Sequence, residues 1–325
     1  MIVSMKPPYD ITTIILKLIT SISEKLGEVN AHYLNKPSPQ LRKQNTIKTI
    51  HSSLQMEGNT LTEAQITALV ENKKIIGPKK DVLEVVNAIK VYEDLESYTP
   101  LSEKSFLQAH KILMNNLIGT AGKYRNQSVG IAKGSKLKHL APPYKNVPHL
   151  MKNLFGYLKN KNELTLIKSC VFHYEMEFIH PFLDGNGRMG RLWQTVILMR
   201  EYPVFEYLPF ETLIKHSQKE YYHALALSDN AGKSTHFIEY MLDVINKSLE
   251  ELLHFNNKIL KDVDRLVYFI KTEMKEFTRK DYMNVFKDIS SSTASRDLKK
   301  GTELKMLKKT GNKNKTMYKI SNSRD

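Results

Sequence analysis

The sequence predicts a mainly all-α protein, in which a helical bundle with one small β-hairpin is followed by a smaller unit of helices and two strands. Three observations lead to this fold class. Apolar residues recur at helical spacing through most of the first 255 residues. Residues 119–148 interrupt that period with seven prolines and glycines, and residues 127–131 alternate as a strand does. After residue 258 the pattern changes to short helices and strands.

The composition is typical of a globular protein without membrane spans. With 325 residues, 41% of them apolar, the chain is long enough for two domains and a sizeable core. The single cysteine, Cys170, lies in an apolar helical stripe, so we predict a core residue rather than a nucleophile. One cysteine excludes a disulfide framework and favours a reducing cytoplasm. The absence of a long apolar run predicts no membrane span and no signal peptide.

The first two helices are predicted over residues 11–28 and 40–57. The first has an apolar stripe that could bind a partner, although packing on the bundle explains it more simply. This stripe consists of Ile11, Ile14, Ile15, Leu18, Ile19 and Ile22. More helices are predicted over residues 62–115, where Thr62 begins a capping box and Ser102 is an N-cap.

Reactive side chains concentrate in residues 180–191, which read His-Pro-Phe-Leu-Asp-Gly-Asn-Gly-Arg-Met-Gly-Arg. Helices are predicted on both sides, over residues 164–179 and 192–199, and Pro181 ends the first of them. The glycine-rich turn therefore opens onto the N-terminus of a helix. Free backbone N–H groups and the positive end of the helix dipole make such a site favourable for phosphate.

The side chains of this turn suit phosphate chemistry. The glycines of residues 185–187 would let a phosphate approach the backbone closely. Arg188 and Arg191 are three residues apart, so both could reach phosphate oxygens from one helix face. Asp184 offers a hard oxygen ligand for Mg²⁺, and His180 at the rim could take a proton from an attacking hydroxyl.

The residues of this region allow three other interpretations. Residues 184–187 contain dipeptides typical of hairpin turns, but helices rather than strands flank them. Residues 185–190 match the dinucleotide-binding fingerprint, which requires a preceding strand. His173, Glu177 and His180 recur at helical spacing and could form a metal-binding face. A buried His173 and a solvated Glu177 explain that spacing more simply.

Residues 180–191 resemble the signature of the Fic family, H-x-F-x-[DE]-G-N-G-R-x-x-R, and match every specified position. Most Fic proteins are helical bundles that transfer AMP from ATP to a hydroxyl side chain of a target protein. The resemblance covers about residues 45–245 and implies a Fic domain over residues 1–257, with its core at about 100–245. It implies that His180 is the general base and Asp184 the Mg²⁺ ligand. It also implies that the phosphates are bound by Gly185, Asn186, Gly187, Arg188 and Arg191.

The end of the second helix resembles the family's inhibitory motif. Residues 53–58 fit the pattern [ST]-x-x-x-E-[GN], with Ser53 and Glu57 four residues apart. The resemblance implies that Glu57 pairs with Arg191 and holds the enzyme inactive. A plain surface helix that ends at Gly58, in a left-handed conformation, is the alternative interpretation.

Two further segments resemble nucleotide- and target-binding parts of the family. Residues 122–125, Gly-Lys-Tyr-Arg, resemble G-x-[FY]-R, which precedes a target-binding flap expected at residues 128–143. An extended flap could bind a peptide by main-chain pairing, although an ordinary surface loop is the alternative. Leu140 is expected to rest against the nucleotide. After an extended connection at residues 205–210, Tyr222 and Asp229 lie on a helix that resembles the wall of the adenine pocket, although aromatic residues there could equally be core.

The last 68 residues form a different, basic unit. Nine of the chain's fifteen excess positive charges lie in them. Predicted helices over residues 263–275 and 278–286, a third helix after a Ser290 cap, and two strands resemble a winged helix over residues 258–325. Arg296 and its small polar neighbours suit DNA contact. Winged helices also bind proteins or dimerise, so DNA, a docked protein and a homodimer remain open as partners.

The sequence therefore predicts a cytoplasmic two-domain enzyme, inhibited by Glu57, that transfers AMP from ATP and Mg²⁺ to a Ser, Thr or Tyr hydroxyl of a target protein. One alternative is phosphate transfer, as in the related Doc toxins, which carry Lys where this chain has Gly187. Another is a transcription regulator whose Fic-like domain senses nucleotide. The target protein is not identified by the sequence.

Overall fold

The computed structural model describes residues 6–31, 39–133, 136–259, 262–270, 276–286, 289–311 and 316–321. The described backbone is mostly helical, which confirms the predicted fold class. Contacts between Cα atoms divide the chain into two compact units, residues 1–250 and 251–325. Within the described residues, no helix is both long enough and apolar enough to span a lipid bilayer.

The first unit is a bundle of helices with one hairpin. Its helices are α1 (Thr13–Ala31), α2 (Pro39–Met56), α3 (Glu63–Val70), α4 (Lys79–Glu93), α5 (Glu103–Leu113), α6 (Val147–Leu158), α7 (Thr165–Ile179), α8 (Asn186–Met199), α9 (Phe210–His216), α10 (Gln218–Ala231) and the greater part of α11 (Thr235–Ile259). Strands β1 (Gly130–Lys133) and β2 (Lys136–Leu140) pair antiparallel, with an irregular register after Ile131. This hairpin lies within the segment predicted as a flap.

The core of the first unit is centred on α7 and α8. Every residue of α8 except Gly187 is buried. Aromatic rings pack beside it, and the centroid of Phe106 lies 5.1 Å from that of Trp193, 5.4 Å from that of Phe182 and 5.6 Å from that of Phe155. Because these rings bury large apolar areas, they fix the end of α7 and the start of α8, between which the predicted phosphate-binding turn lies.

Local sequence sets several helix starts as predicted. The Thr62 hydroxyl accepts a hydrogen bond from the Gln65 N–H, and the Gln65 side chain accepts one from the Thr62 N–H, so the capping box is present. Ser102 caps α5 by accepting a bond from the N–H three residues on.

Helix α8 begins at Asn186, earlier than the predicted residue 192. Packing of this buried helix outweighs the low helix propensity of its glycines.

The predicted apolar stripe of α1 was wrong in part. Ile11 and Ile14 are more than half exposed, and the fully buried stripe runs through Ile15, Ile22, Leu26 and Val29. The helix packs on the bundle: the Thr12 hydroxyl donates to Glu239 and the Lys25 ammonium donates to Asn246. The buried stripe continues to Val29, whereas the predicted one ended at Ile22. The buried face of the helix is therefore shifted from the predicted face.

Residues 205–210 do not form the extended connection that their composition predicts. Residues Pro203–Glu206 form a 3₁₀ turn, and α9 begins at Phe210. Proline fits the first position of a helical turn because its φ is already set, which explains the helical start. The apolar side chains of this connection are buried, as expected, among them Phe205 and Leu208.

The second unit combines helices with a small antiparallel sheet. Its elements are α12 (Asp262–Ile270), β3 (Glu276–Phe277), α13 (Arg279–Val285), α14 (Ser291–Glu303), β4 (Leu307–Thr310) and β5 (Met317–Ile320). The strand order is β3-β5-β4. The sequence predicted β4 and β5 but not β3, since a strand of two residues shows no period. Ser290 caps α14 as predicted. The assignment of this unit as a winged helix stays a prediction.

A buried ion pair joins the helices of the second unit. The Arg265 guanidinium donates to both carboxylate oxygens of Asp297, at 2.6 Å and 2.9 Å. The Tyr282 hydroxyl donates to the same carboxylate at 3.1 Å. Hydrogen bonds from two partners offset the cost of burying this charge, and they connect α12, α13 and α14 around a core that includes Phe269, Leu298 and other apolar side chains.

Candidate active site

His180 lies directly after α7, in a left-handed backbone conformation with φ 50° and ψ 61°. This conformation is uncommon for residues other than glycine, although histidine, asparagine and aspartate adopt it more readily than most. It closes α7 through the bond from the His180 N–H to the Met176 carbonyl at 3.0 Å. The His180 carbonyl in turn accepts a bond from Arg125 at 2.8 Å. The surrounding structure therefore holds His180 at the rim of a cavity.

The turn after His180 is closed by Asn186. Its amide oxygen accepts a bond from the Phe182 N–H, and its amide nitrogen donates to the Phe182 carbonyl, both at 2.9 Å. The side chain is 3% exposed. Asn186 was predicted to bind nucleotide, but its side chain shapes the turn, so a contact with phosphate would come from its backbone N–H.

Asp184 and Arg188 pair with each other beside this turn. One Asp184 carboxylate oxygen accepts bonds from the Gly185 N–H at 2.6 Å and from the Arg188 guanidinium at 3.0 Å. Arg188 is buried and also donates to Glu84 at 3.2 Å. The Asp184 side chain is 46% exposed. Asp184 can therefore reach a ligand in solvent, whereas Arg188 is held between two carboxylates.

Arg191 contacts both residues of the predicted inhibitory motif. Its guanidinium donates to the Ser53 hydroxyl at 3.0 Å, to the Ser53 carbonyl at 2.9 Å and to the Glu57 carboxylate at 2.7 Å. The Arg191 side chain is 1% exposed. Burial lowers the pKa of this guanidinium, but the charge of Glu57, its hydrogen bond and the neighbouring Tyr221 and Glu177 together raise it above its usual value. The group stays charged and paired with Glu57.

Gly187 leaves little space above the first turn of α8. A Cβ atom at this position would lie 2.6 Å from the Glu57 carboxylate and 3.1 Å from the Arg191 guanidinium. Any larger side chain would therefore displace Glu57. In the described state, the carboxylate occupies the position next to the helix N-terminus where an anionic phosphate would be most favourable.

A cavity of about 230 Å³ brings six of the twelve predicted residues together, whereas Asp184 and Arg188 are not among its lining residues. Its walls are formed by Glu57, Glu177, Phe178, His180, Gly187, Arg191, Tyr221, Tyr222, Leu225, Ala226 and Asp229. Tyr222 is 41% exposed, whereas Tyr221 is 2% exposed and belongs to the core. Asp229 accepts a bond from the Tyr174 hydroxyl at 3.0 Å. The side chain of Leu140 lies outside the described residues.

The alternative of a metal-binding face on α7 is not supported, and the simpler explanation of a buried His173 is confirmed. His173 is fully buried and contacts the Gln194 amide oxygen at 2.7 Å and the Tyr221 hydroxyl at 3.2 Å. Burial lowers the pKa of His173 to about 3, so the ring is neutral. The described part of the chain contains no group of three His, Cys, Asp or Glu side chains placed to hold a metal ion.

Sequence reasoning missed two buried side chains, Glu84 and His110, that hydrogen-bond to residues of the site. Glu84 is buried, and it accepts bonds from Arg188 and, at 2.8 Å, from Asn59. His110 accepts a bond from the Gly122 N–H, so its other ring nitrogen carries the proton and donates to the Asp184 carbonyl at 3.1 Å. Burial lowers the pKa of His110 to about 4. Neither residue belongs to a recognisable motif, so spacing alone offered no signal.

Comparison with known proteins agrees with this geometry. The model of the Fic/DOC family matches residues 100–198. A solved structure of a Fic family protein from Desulfovibrio desulfuricans is 37% identical, with a TM-score of 0.75, and the match covers 98% of this chain and 99% of that one. The chain belongs to the Fic family. The Fic-type bundle with its hairpin is thereby confirmed as the fold of the first unit.

More distant relatives cover less of the chain. A solved structure of Fic-1 (residues 134–508) from C. elegans is 21% identical, has a TM-score of 0.64 and covers 75% of this chain and 73% of that one. Protein adenylyltransferase Fic from Drosophila mojavensis is 26% identical over 292 residues, which are 86% of this chain and 54% of that protein. The protein of the same name from Drosophila melanogaster is also 26% identical, over 77% of this chain and 51% of its own length. The chain thus spans about half the length of these Drosophila relatives.

Proposed function

We propose that this Fic-family chain is a protein adenylyltransferase, which transfers AMP from ATP to a Ser, Thr or Tyr hydroxyl of a target protein. One observation carries the proposal: a single cavity is lined by a histidine at its rim, the N-terminus of α8 with Arg191, and the exposed ring of Tyr222. In the same order, these features suit a proton acceptor, a phosphate-binding site and a wall that packs against the adenine ring. The relatives named protein adenylyltransferase support the same activity.

The proposed residues act as follows. His180 takes the proton of the target hydroxyl, and the hydroxyl oxygen attacks the α-phosphorus of ATP. The bond between this phosphorus and the oxygen that bridges to the β-phosphate breaks, and pyrophosphate leaves. The backbone N–H groups of Gly185, Asn186 and Gly187 and the Arg188 and Arg191 guanidinium groups bind the phosphates. Tyr222 and Asp229 contact the nucleoside, and Leu140 is proposed as a further nucleotide contact.

Asp184 is proposed to hold Mg²⁺. Its carboxylate is a hard oxygen donor and is nearly half exposed beside the start of α8. Magnesium sites commonly combine one or two carboxylates with substrate phosphates and waters, so the residues present fit the ion. When bound, the ion would neutralise part of the triphosphate charge.

The hairpin of β1 and β2 is proposed to bind the target. Its strands form a two-stranded sheet, and an edge strand has backbone groups that can pair with an extended peptide. Main-chain pairing places a hydroxyl side chain with little dependence on the neighbouring target sequence. The target is therefore defined here by its chemistry, an extended segment with a hydroxyl side chain.

Labelled ATP tests the reaction type. We expect label from α-labelled ATP, and not from γ-labelled ATP, to appear on protein incubated with the enzyme. Transfer of γ-label would instead indicate phosphorylation of the Doc type. Gly187 argues against that alternative, since the Doc toxins carry Lys at this position, whereas glycine favours an open cradle for a full triphosphate. Transfer of neither label, by an enzyme shown to bind ATP and with Glu57 replaced by Gly, would indicate a nucleotide sensor.

A second candidate function is nucleic-acid binding by residues 258–325, the proposed second domain. A groove of about 1150 Å³ in this unit is lined by residues of α13, α14, β4 and β5. The charged side chains that line it are Arg279, Lys280 and Lys309, all exposed cations. We propose that the groove binds the phosphates of duplex DNA.

We also propose that the protein is located in the cytoplasm.

The salt dependence of DNA affinity checks this function. Each neutralised phosphate contributes about −0.9 to the slope of log affinity against log salt, so three contacts predict about a 40-fold loss of affinity between 50 and 200 mM salt. We expect Arg279→Glu with Lys309→Glu to abolish binding, and Lys152→Glu on α6 to leave it unchanged. A chain that ends at residue 257 should bind ATP but not DNA. Weak or salt-independent binding would exclude DNA as the partner, and sedimentation of the full chain would then test a homodimer.

A further inference from the structure

Arg125 makes an unusual set of contacts with the backbone. Its guanidinium donates to the carbonyl oxygens of Gln127 at 3.0 Å, Pro142 at 2.5 Å, Ile179 at 3.3 Å and His180 at 2.8 Å. The N–H of Arg125 also donates to the Pro181 carbonyl at 2.8 Å. The residue is 3% exposed. Arg125 therefore makes five hydrogen bonds to carbonyl oxygens while it is almost completely buried.

These five carbonyls belong to two functional segments. Gln127 precedes β1 and Pro142 follows β2, so they lie at the two ends of the hairpin. The other three carbonyls, residues 179–181, belong to the turn that carries His180. A single guanidinium therefore connects both ends of the proposed target-binding hairpin to the proposed catalytic base.

The charge of Arg125 is costly where it lies. Burial lowers the pKa of this guanidinium. Within the described residues Arg125 forms no ion pair, and the carbonyl dipoles that its guanidinium contacts offset the loss of water. A planar guanidinium with five donors can reach several carbonyls at once, whereas a lysine ammonium cannot span the same positions. The geometry therefore needs an arginine rather than a positive charge alone.

We propose that Arg125 is a positioning residue that couples the hairpin to His180. The same guanidinium thereby fixes the position of a target bound along the hairpin and that of the imidazole that takes its proton. A shift of about 1 Å between reacting groups can cost about 10²-fold in rate. The role in catalysis rests on the proposed AMP transfer, whereas the coupling of the two segments does not depend on it.

Amide hydrogen exchange on the full chain without nucleotide tests the coupling itself. In the wild type, amides of residues 126–129 and 141–145 should open together with those of residues 180–186. Arg125→Lys should increase exchange in both segments, and Arg125→Gln should do the same. The control is Arg200→Lys, because Arg200 donates to the carbonyls of Glu96 and Tyr98, away from the site. Faster exchange in only one segment, or independent opening in the wild type, would overturn the proposal.

Steady-state transfer tests the consequence for catalysis. Arg125→Lys should raise the KM for the target protein and lower kcat, with a combined loss of about 10²-fold, while the affinity for ATP stays within about twofold of wild type. A merely structural role would weaken ATP binding and target use alike, and that result would refute a positioning role. If the wild type and Glu57→Gly proteins transfer no AMP at all, the proposed function fails, and the exchange experiment still decides whether Arg125 couples the segments.

Discussion

Replacement of His180 is expected to lower AMP transfer by about 10²–10⁴-fold and to leave ATP binding nearly unchanged. The reason is that His180 lies at the rim of the cavity, whereas we propose that the start of α8 and its arginines bind the phosphates. The two buried histidines of the described site, His110 and His173, cannot substitute for it. Burial lowers the pKa of His110 to about 4 and that of His173 to about 3, and both rings are hydrogen-bonded in the core.

The backbone at His180 requires a second variant. His180 has a φ of 50°, which alanine adopts less readily than histidine. We therefore pair His180→Ala with His180→Asn, because asparagine tolerates the left-handed conformation but takes up no proton at neutral pH. Transfer of α-label and the Kd for ATP are measured for both, with His236→Ala on α11 as a control. Near-normal transfer by the asparagine variant would mean that His180 acts through its backbone and not as a base.

The site could be located from the sequence because its residues are constrained one by one. Helix starts, phosphate approach and proton transfer each require a particular residue type. Because all of these types occur within the twelve positions of residues 180–191, the segment could be recognised as the site. The Ser53–Arg191 contact spans 138 positions in the sequence, yet the match to the family's inhibitory motif predicted a partner for Arg191. Where such a pattern exists, distance along the chain does not matter.

The side chains that support the site could not be predicted in the same way. Glu84 holds Arg188 from α4, but any buried helix face could carry such a residue, and its role depends on which helices meet. The side chain of Asn186 turned inwards for a similar reason, since the closed turn left Phe182 with backbone groups that needed partners. Tertiary packing decided these positions, and a single sequence contains little information about it.

The two arginines of the motif lie in different electrostatic surroundings. Arg188 is shared between Asp184 and Glu84, whereas Arg191 is bound by Ser53 and Glu57 at the end of α2. Glu84, which pairs with Arg188, is not among the residues that line the cavity, so nucleotide need not displace it. The carboxylate on Arg191 lines the cavity. An incoming triphosphate that reaches for Arg191 would therefore be repelled by Glu57.

Replacement of Glu57 by glycine is expected to increase AMP transfer by about 10²-fold. In the described state, the Glu57 carboxylate accepts a bond from the Arg191 guanidinium at 2.7 Å and lies 2.6 Å from where a Cβ of Gly187 would be. We propose that ATP then binds with its γ-phosphate excluded from Arg191 and its α-phosphorus misaligned with the target hydroxyl. A misplacement of about 1 Å can cost about 10²-fold in rate, so removing the carboxylate should recover a factor of that size.

The variants around this pair separate charge from shape. Glu57→Gln keeps a hydrogen-bond acceptor for Arg191 but loses the charge, so we expect an activity between those of the wild type and Glu57→Gly. Adding Arg191→Ala to Glu57→Gly should remove the gain, because the freed guanidinium is what corrects the position of ATP. Glu63→Gly, at the exposed start of α3, is the matched control and should leave the rate unchanged. Label from α-labelled ATP on the enzyme itself and on a target that it modifies measures all four variants, with thermal unfolding to show that each is folded. A folded Glu57→Gly protein that transfers AMP no faster than the wild type would show that the carboxylate does not restrain the enzyme.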